Sequence, residues 1–327
     1  MQKSIAINIY DLRKTYIVNE RESGVQAALG SLVRRRRQEV AAVDGISFTL
    51  YPGEIVGFLG PNGAGKTTTL KMLSGLLHPT SGELSVLGHV PWRRETNFLR
   101  MITLVMGQRN QLVWDIPAAD SFELNRAIYR IAVDDYRRIR DELTDLLELG
   151  PLLRKPVRNL SLGERMKCEI AAALLHRPQV VFLDEPTIGL DVTMQRRIRT
   201  FIAEYNRRNG ATVLLTSHYM ADVQALCKRV IVIHHGRLLY DGDLSGLVRT
   251  FTAHKTIAVR LPDCEVDLSS YGEIVSCDKG LTTLRVPKAE TARVTARLLV
   301  DLPISDLTVE DPPIEEVIDL VFAQGTT

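Results

Sequence analysis

One segment, Gly60-Pro-Asn-Gly-Ala-Gly-Lys-Thr67, constrains the fold of this chain more than any other feature. It matches the pattern G-x-x-x-x-G-K-[ST] without a gap, after an apolar run at 55–59 and before a run at 66–77 that favours a helix. Glycines let consecutive backbone N–H groups converge on a phosphate, and the helix that follows adds the positive end of its dipole. The segment therefore predicts a phosphate-binding loop between a buried strand and a helix. The residues expected to contact phosphate are Gly60, Pro61, Asn62, Gly63, Ala64, Gly65, Lys66, Thr67 and Thr68.

Two carboxyl groups follow a second apolar run, at 180–183: Asp184 and Glu185. Functional groups of parallel sheets gather at the carboxyl ends of the strands. Asp184 is expected to hold Mg²⁺ with the Thr67 hydroxyl, because Mg²⁺ prefers oxygen ligands. Glu185 can polarise a water molecule that attacks a γ-phosphate. Alone this acidic pair is a weak signal, but downstream of a phosphate-binding loop it indicates nucleotide hydrolysis.

The pattern of strands and helices predicts two domains. Residues 1–244 alternate short apolar strands with helical segments, which is typical of an α/β domain with a mainly parallel sheet. The stretch 118–176 is helical without strands, so a helical lobe is expected at about 109–176. Residues 245–327 predict a small α+β domain, with three strands, a helix, a strand and a last helix.

Charge and cysteine content exclude several classes of function. The formal net charge is only +2, with 41 Lys and Arg against 39 Asp and Glu, whereas a general nucleic-acid binder is far more basic. The four cysteines lack the tight spacing of a zinc or redox site. No stretch approaches the roughly 18 consecutive apolar residues of a membrane helix, so any membrane-spanning part is expected on a partner polypeptide.

The segment Leu160-Ser-Leu-Gly-Glu164 resembles the L-S-G-G-Q signature of ATP-binding cassette (ABC) ATPases. The resemblance implies that Ser161, Gly163 and Glu164 contact the γ-phosphate of ATP held by a second subunit. Leu162 replaces a glycine and Glu164 replaces a glutamine, and the second departure leaves the role of position 164 open. The same residues also fit a simple capping box, with Ser161 at the N-cap of a helix and Glu164 three residues later. The two interpretations are compatible.

Other segments match positions of the same family in order. Gln108 resembles the glutamine that senses Mg²⁺ and links to the membrane domain, although a loop glutamine is more often solvated. Residues 188–191 resemble the segment that crosses the dimer interface, and His218 resembles the histidine that contacts the γ-phosphate. Tyr16 lies where the family stacks an aromatic ring on adenine, and the alternative is a core aromatic residue at a strand end.

The resemblance covers residues 4–243 and implies a P-loop NTPase cassette with a mainly parallel sheet, an antiparallel β subdomain and a helical lobe. It implies ATP and Mg²⁺ as cofactors, integral-membrane permease subunits as partners, and a second ATPase subunit in a homodimer. The expected location is the cytoplasmic face of the plasma membrane. The C-terminal domain resembles modules of the drug- and lipid-exporting branch, which favours export over import.

Two alternatives come from different classes of protein. A soluble ABC ATPase that acts on ribosomes or DNA usually has two cassettes or long coiled coils, and this chain has one cassette and no long heptad run. A phosphate-loop kinase would leave the segment 160–164 and His218 unexplained.

An unusual insertion is expected at about 17–42. Val25, Ala28, Leu29, Leu32 and Val33 share one face of a helix, and a basic run of Arg34, Arg35, Arg36 and Arg37 follows. Such a segment can contact an anionic membrane surface or a partner helix. The alternative is a solvated charged loop that packs its apolar stripe on the domain itself.

Overall fold

The computed structural model describes residues 4–19, 37–107, 111–261, 266–278 and 280–324. The chain forms two compact units, Met1–Gly242 and Asp243–Thr327. The larger unit contains a six-stranded sheet whose inner strands pair in parallel. In order of adjacency its strands are β5 (Ile102–Met106), β6 (Val180–Asp184), β7 (Thr212–Thr216), β3 (Ile55–Leu59), β8 (Arg229–His234) and β9 (Arg237–Asp243). These features confirm the predicted α/β fold class.

A second sheet in this unit is antiparallel, in the order β2 (Arg37–Leu50), β1 (Ile7–Asn19) and β4 (Ser81–Val86). Apolar side chains of both sheets form one buried cluster, in which the rings of Phe48 and Phe58 lie 5.8 Å apart. The helix that follows the glycine-rich segment adds Leu70 and Leu73 to the same cluster. The core therefore fixes that helix and its N-terminus against both sheets.

The β1–β2 hairpin is longer than the sequence pattern indicates: the strand-like runs here cover only 5–9 and 46–51. The ladder continues through Tyr16 opposite Val40 to Asn19 opposite Arg37. Arg13 is the last residue of β1 that pairs with β4, so beyond it β1 pairs with β2, and register shifts lie along β1. The described ends of the expected insertion, 17–19 and 37–42, are therefore strands. The predicted amphipathic helix and Arg34, Arg35 and Arg36 lie outside the described residues, as does the Arg37 side chain.

Two helices of the larger unit pack on one face of the parallel sheet. Ile170 and Phe201, from these two helices, pack on the sheet face that carries Val181 and Val213. The helices of this unit are α1 (Lys66–Leu73), α2 (Thr96–Met101), α3 (Ala118–Tyr129), α4 (Val133–Leu147), α5 (Leu162–Leu174), α6 (Val192–Asn209) and α7 (Met220–Leu226), with 3₁₀ turns at Pro91–Arg93 and Val157–Asn159. Helices α3, α4 and α5 form the strand-free helical block that the sequence predicts.

Helix α1 ends at Leu73, four residues before the predicted end. Gly75 has a φ of 74°, in the left-handed region, and its N–H donates to Met72 O. The N–H of Leu76 donates to Lys71 O. This is the Schellman arrangement, which satisfies the last carbonyl groups and turns the chain away from the helix axis.

The described residues of the smaller unit form a four-stranded antiparallel sheet and three helices. Ile257 and Leu284 from the sheet pack against Val294 and Leu298 of one helix. The strands lie in the order β11 (Glu273–Asp278), β12 (Leu281–Pro287), β10 (His254–Arg260) and β13 (Asp306–Glu310), and the helices are α8 (Leu244–Phe251), α9 (Thr291–Asp301) and α10 (Ile314–Gln324), with a 3₁₀ turn at Lys288–Glu290. Helix α8 was missing from the sequence prediction.

Gly82 provides a test of how closely β1 and β4 approach. A Cβ atom at Gly82 would lie 2.2 Å from Asp11 O, and φ is 93°. Gly88 also has a positive φ, 77°, but a Cβ there meets nothing within 4 Å. We expect Gly88→Ala to cost about 1 kcal/mol from backbone strain alone, and Gly82→Ala about 2–4 kcal/mol because overpacking adds to it. Equal unfolding free energies for the two variants in urea would contradict this account.

Candidate active site

The glycine-rich segment is held by neighbouring backbone on two sides. A Cβ atom at Gly60 would lie 2.3 Å from Ile233 O, and one at Gly65 would lie 2.3 Å from Ala42 O. Gly65 also has a φ of 104°, which L side chains rarely adopt. Glycine is therefore required at both ends of the loop, because strands β8 and β2 press directly against it.

Lys66 begins helix α1 and points back into the loop. Its Nζ donates to Gly60 O at 2.5 Å and to Pro61 O at 3.0 Å, and the residue is buried. Burial lowers the pKa of Lys66, and the nearby carboxyl groups of Glu185 and Asp184 oppose that shift. The loop thus surrounds a primary amine with backbone, which is the arrangement that a phosphate-binding lysine needs.

Asp184 connects the ends of strands β6 and β7 to helix α1 at the carboxyl edge of the sheet. Its Oδ2 accepts a hydrogen bond from Thr67 Oγ1 at 2.9 Å, and its Oδ1 accepts one from Thr216 Oγ1 at 2.7 Å. Asp184 and Thr216 are directly paired in the β6–β7 register. The side chain is therefore oriented from two sides, with its oxygens next to the start of helix α1.

Glu185 and His218 face each other beside Asp184. His218 Nε2 lies 2.8 Å from Glu185 Oε1. Glu185 has a φ of 54°, and its N–H donates to Thr216 Oγ1 at 3.0 Å. A non-glycine residue in this region of φ is strained, and such strain is concentrated at functional sites. The turn aims the Glu185 side chain away from the strand and towards the histidine.

A cavity of about 430 Å³ opens at this edge of the sheet. Its lining combines the phosphate-loop segment with residues that follow β5, β6 and β7. The lining residues are Asn62, Thr67, Lys71, Met106, Gly107, Asp184, Glu185, Ile188 and His218. The structure thus brings together the predicted Thr67, Asp184, Glu185 and His218, three of which are far apart in sequence.

Tyr16 lies on β1 and is partly exposed, at 38%. The ammonium of Lys14 lies 5.4 Å from the centre of its ring. The strand partner of Tyr16 is Val40, two residues along β2 from the Ala42 carbonyl that contacts Gly65. The Tyr16 ring thus lies on the hairpin that borders the loop, and enough of it is exposed to stack on another ring. Its contact with adenine stays a prediction.

The segment that resembles the signature starts helix α5. Ser161 is its N-cap, with Ser161 Oγ accepting from Glu164 N at 3.3 Å and Glu164 Oε2 accepting from Ser161 N at 2.9 Å. The predicted capping box is therefore confirmed. Gly163 leaves room for Met194, whose Cγ would lie 3.0 Å from an added Cβ. Ser161, Gly163 and Glu164 do not line the 430 Å³ cavity of their own chain.

The remaining predicted positions are Gln108 and the segment 188–191. Gln108 lies outside the described residues, so its predicted contact with Mg²⁺ stays a prediction. The preceding Gly107 is close-packed, because a Cβ there would lie 2.3 Å from Glu185 O. In the segment 188–191, Asp191 is the N-cap of helix α6 and accepts from Met194 N at 2.9 Å.

Sequence reasoning missed several polar residues that support the site. Thr216, Ser217 and Asp222 lie near the end of β7 and in helix α7, and Thr187 follows Glu185 by two residues. All four are buried and hydrogen-bonded to one another or to Asp184. A run of hydroxyl residues directly before His218 was the available signal, but the pairing needs the fold.

Two protein-family models match this chain. The model of the ABC transporter family matches residues 43–188, and that of the EvrA-like ABC transporter C-terminal domain matches residues 253–310. The ABC transporter ATP-binding protein NatA of Bacillus subtilis (strain 168) is 35% identical over 212 residues, covering 65% of this chain and 86% of NatA. The Nod factor export ATP-binding protein I of Burkholderia thailandensis is 34% identical over 235 residues, covering 71% and 75%.

Among solved structures, the dimeric ATP-binding cassette MJ0796 in a post-hydrolysis state bound to ADP and phosphate is similar, with a TM-score of 0.60 and 23% identity. The likeness covers 72% of this chain and 98% of that cassette, and it supports the fold. This chain belongs to the ATP-binding subunits of ABC transporters. It is accordingly an ATP-binding protein and an ATPase, as the resemblance implied.

The residues present fit a magnesium ion that arrives with the nucleotide. Thr67 Oγ1 and Asp184 Oδ2, 2.9 Å apart, offer the hard oxygen donors that Mg²⁺ prefers. Such ions usually take one or two carboxyl groups and complete their shell with phosphate oxygens and water. The part of the chain that the structure describes contains no cluster of three or more His, Cys, Asp or Glu residues that could hold a metal ion.

The capping box makes a prediction about pH. The N–H of Ser161 is the main cause that lowers the pKa of Glu164, so the bond stabilises the fold while the carboxylate is ionised. That contribution is present above the ordinary pKa and is lost as pH falls through the lowered pKa. Glu164→Gln keeps an acceptor that does not titrate in this range. We expect the urea midpoint of the wild type to fall relative to Glu164→Gln between about pH 6 and about pH 3. Parallel midpoints over that range would contradict it.

Proposed function

We propose that this chain is the motor subunit of an ABC exporter, which binds ATP·Mg²⁺ at the 430 Å³ cavity and hydrolyses ATP to drive separate permease subunits. One observation carries the proposal. The phosphate-loop residues, Asp184, Glu185 and His218 converge on a single cavity, although they come from widely separated segments. The family membership and the export-type relative support the assignment to a transporter.

Each residue has a distinct role in this proposal. The backbone N–H groups of the loop and the N-terminus of helix α1 bind the β- and γ-phosphates, and Lys66 adds a positive charge. Thr67 and Asp184 hold Mg²⁺, which when bound neutralises phosphate charge. Tyr16 stacks on adenine. These contacts bind and orient the nucleotide without taking part in proton transfer.

Glu185 and His218 perform the chemical step. Glu185 accepts a proton from the attacking water, the new P–O bond forms at the γ-phosphorus, and the bond to the bridging oxygen of ADP breaks. His218 contacts the γ-phosphate and holds Glu185 in place across their 2.8 Å contact. The products are ADP and phosphate.

The signature segment serves the second subunit. Ser161 and Gly163 lie outside the cavity of their own chain, at the start of helix α5. We propose a head-to-tail homodimer in which the hydroxyl and N–H groups of this helix start bind the γ-phosphate held by the other copy. ATP then closes the dimer and hydrolysis opens it.

A lateral groove is the proposed contact for the permease. It has a volume of about 430 Å³ and combines apolar residues with arginines. Ile128 and Leu76, which line it, are 62% and 58% exposed. The other lining residues are Ser74, Arg94, Thr96, Leu99, Arg100, Ile102, Thr103, Leu104, Gln111 and Tyr129. An amphipathic helix from the cytoplasmic side of the permease fits such a surface.

The proposed permease contact bears on where the subunit is located. No helix among the described residues is both long enough and apolar enough to cross a membrane. We propose that the subunit is peripheral, at the cytoplasmic face of the plasma membrane, and is held there through the permease.

Glu185→Gln tests the general base. We expect ATP turnover to fall by about 10²–10⁴, because the amide cannot accept the proton, while ATP still binds. The bound nucleotide should hold two chains together, so a stable ATP-dependent dimer should appear in size-exclusion chromatography. Near-normal turnover in the purified full-length variant would disprove the assignment.

Ile128→Asp tests the lateral groove. We expect binding to the permease to weaken at least about tenfold, because a charge replaces an apolar anchor. ATP hydrolysis by the isolated subunit should stay within about twofold, since Ile128 does not line the ATP cavity. Val133→Asp is the matched control, at an apolar residue that is 48% exposed on the neighbouring helix α4 and outside the groove. Equal permease binding by both variants would refute the groove as the contact.

A further inference from the structure

The buried carboxyl group of Asp222 joins three segments of the ATPase unit. Its Oδ2 accepts from Thr187 Oγ1 at 2.5 Å and from Ser217 Oγ at 2.7 Å. Its Oδ1 accepts from Arg199 Nη1 at 2.7 Å. Asp222 is 1% exposed, and Thr187 and Ser217 are 1% and 4% exposed. We name this group of four residues the Asp222 clamp.

One arm of the clamp fixes the backbone around His218. Ser217 precedes His218 directly, and its hydroxyl donates to Asp222 while accepting from Tyr219 N at 3.0 Å. The side chain of Ser217 therefore holds the main chain on both sides of the histidine.

The other arm fixes the segment that begins after Glu185. Thr187 lies two residues beyond Glu185, and its carbonyl accepts from Leu190 N at 3.2 Å. Gln195, on helix α6, donates to Leu190 O at 3.1 Å. The same turn contains Ile188, whose N–H donates to Glu185 O at 3.2 Å. Thr187 is thus only two residues from the strained position Glu185, in a turn that the Ile188 N–H to Glu185 O bond closes.

The clamp lies behind the Glu185–His218 pair and outside the ATP cavity. None of its four residues lines the cavity. It holds the loops that carry Glu185 and His218 to one carboxyl group, while the phosphate loop and helix α1 are held elsewhere, by Asp184 and the apolar core. A change in the clamp therefore alters the placement of Glu185 and His218 more than it alters the contacts that the phosphate loop and helix α1 make with the nucleotide.

We propose that Asp222 is a positioning residue for ATP hydrolysis, which sets the 2.8 Å contact between Glu185 and His218 by tying their loops together through Thr187 and Ser217. This inference rests on the roles proposed above for Glu185 and His218. Its consequence is a division of kinetic effects. Loss of a clamp hydrogen bond lowers kcat, whereas the KM for ATP stays near its wild-type value, because positioning errors of a fraction of an ångström mainly reduce the rate of the chemical step.

The experiment uses hydroxyl variants, because Asp222→Ala would remove the carboxylate that pairs with the half-buried Arg199 and leave an empty space beside it. Thr187→Val and Ser217→Ala remove one hydroxyl each. Thr187→Ser and Ser217→Thr change the side chain but keep the hydroxyl, and we call them the hydroxyl-keeping variants. We expect each removal to lower kcat about five- to tenfold, with the KM for ATP within about twofold of the wild-type value. Each hydroxyl-keeping variant should have a kcat within about twofold of the wild type. The double variant should be less impaired than the product of the single effects, since both bonds act through one carboxyl group.

Thr200→Val is the matched control for loss of a hydroxyl. Thr200 lies on helix α6, is exposed, and donates only within the helix, to Arg196 O at 3.0 Å. Its kcat and KM should equal those of the wild type. Thermal melting of every purified full-length variant is recorded alongside.

The outcomes separate this inference from the proposed function. Unchanged kcat in Thr187→Val and Ser217→Ala, while Glu185→Gln loses turnover, would overturn the positioning role alone. Normal turnover in Glu185→Gln would overturn the proposed function first. Two further results would show that the clamp only stabilises the fold and would also overturn the inference. One is an equal fall in kcat in the hydroxyl-keeping variants, and the other is a fall in kcat that follows a loss of thermal stability.

Discussion

The site depends on the carboxyl group of Asp184, which connects the phosphate loop to the edge of the parallel sheet. It accepts hydrogen bonds from Thr67 on helix α1 and from Thr216 at the end of the neighbouring strand. This is possible because β6, β7 and β3 lie side by side and parallel, so their carboxyl ends reach the same edge. Thr67 and Asp184, more than a hundred positions apart in the sequence, are thereby brought within hydrogen-bond distance. The order of the strands, and not any single loop, places them together.

Close backbone approach makes this arrangement rigid. Gly60, Gly65 and Gly107 each have a carbonyl oxygen within 2.3 Å of the place where a side chain would begin. The three carbonyls belong to β8, β2 and the turn after β6, so the loop is packed against β8 and the hairpin, and the acidic turn is packed against the residue that follows β5. A site held in this way orients its donors before the substrate arrives, which lowers the reorganisation required in the transition state. The positive φ of Glu185 is a strained backbone conformation, and the surrounding packing holds the residue in it.

The sequence predicted what depends on local pattern and missed what depends on pairing. The phosphate loop, the strand before Asp184 and the capping box at Ser161 are short segments whose residue types follow from local physics, and the structure has them where the pattern places them. The length of the β1–β2 ribbon was underestimated, because its outer half is a two-stranded ribbon whose strand character comes from cross-strand pairing. Asp222 looked like an ordinary acidic residue in a helix, since its partners at Thr187 and Arg199 become neighbours only in the folded chain.

Two residues depart from the family signature, and the directions of their side chains leave the helix start able to bind a phosphate that the other subunit holds. A carboxyl group at position 164 would repel a phosphate if it faced outward. Here it accepts from Ser161 N and lies 3.9 Å from the Lys155 ammonium, so its charge is directed back into its own helix start. Leu162 packs towards Gly189, with a Cδ2 atom 3.1 Å from an added Cβ. The first turn of helix α5 can therefore still present N–H groups to a phosphate, although two of the five signature residues differ.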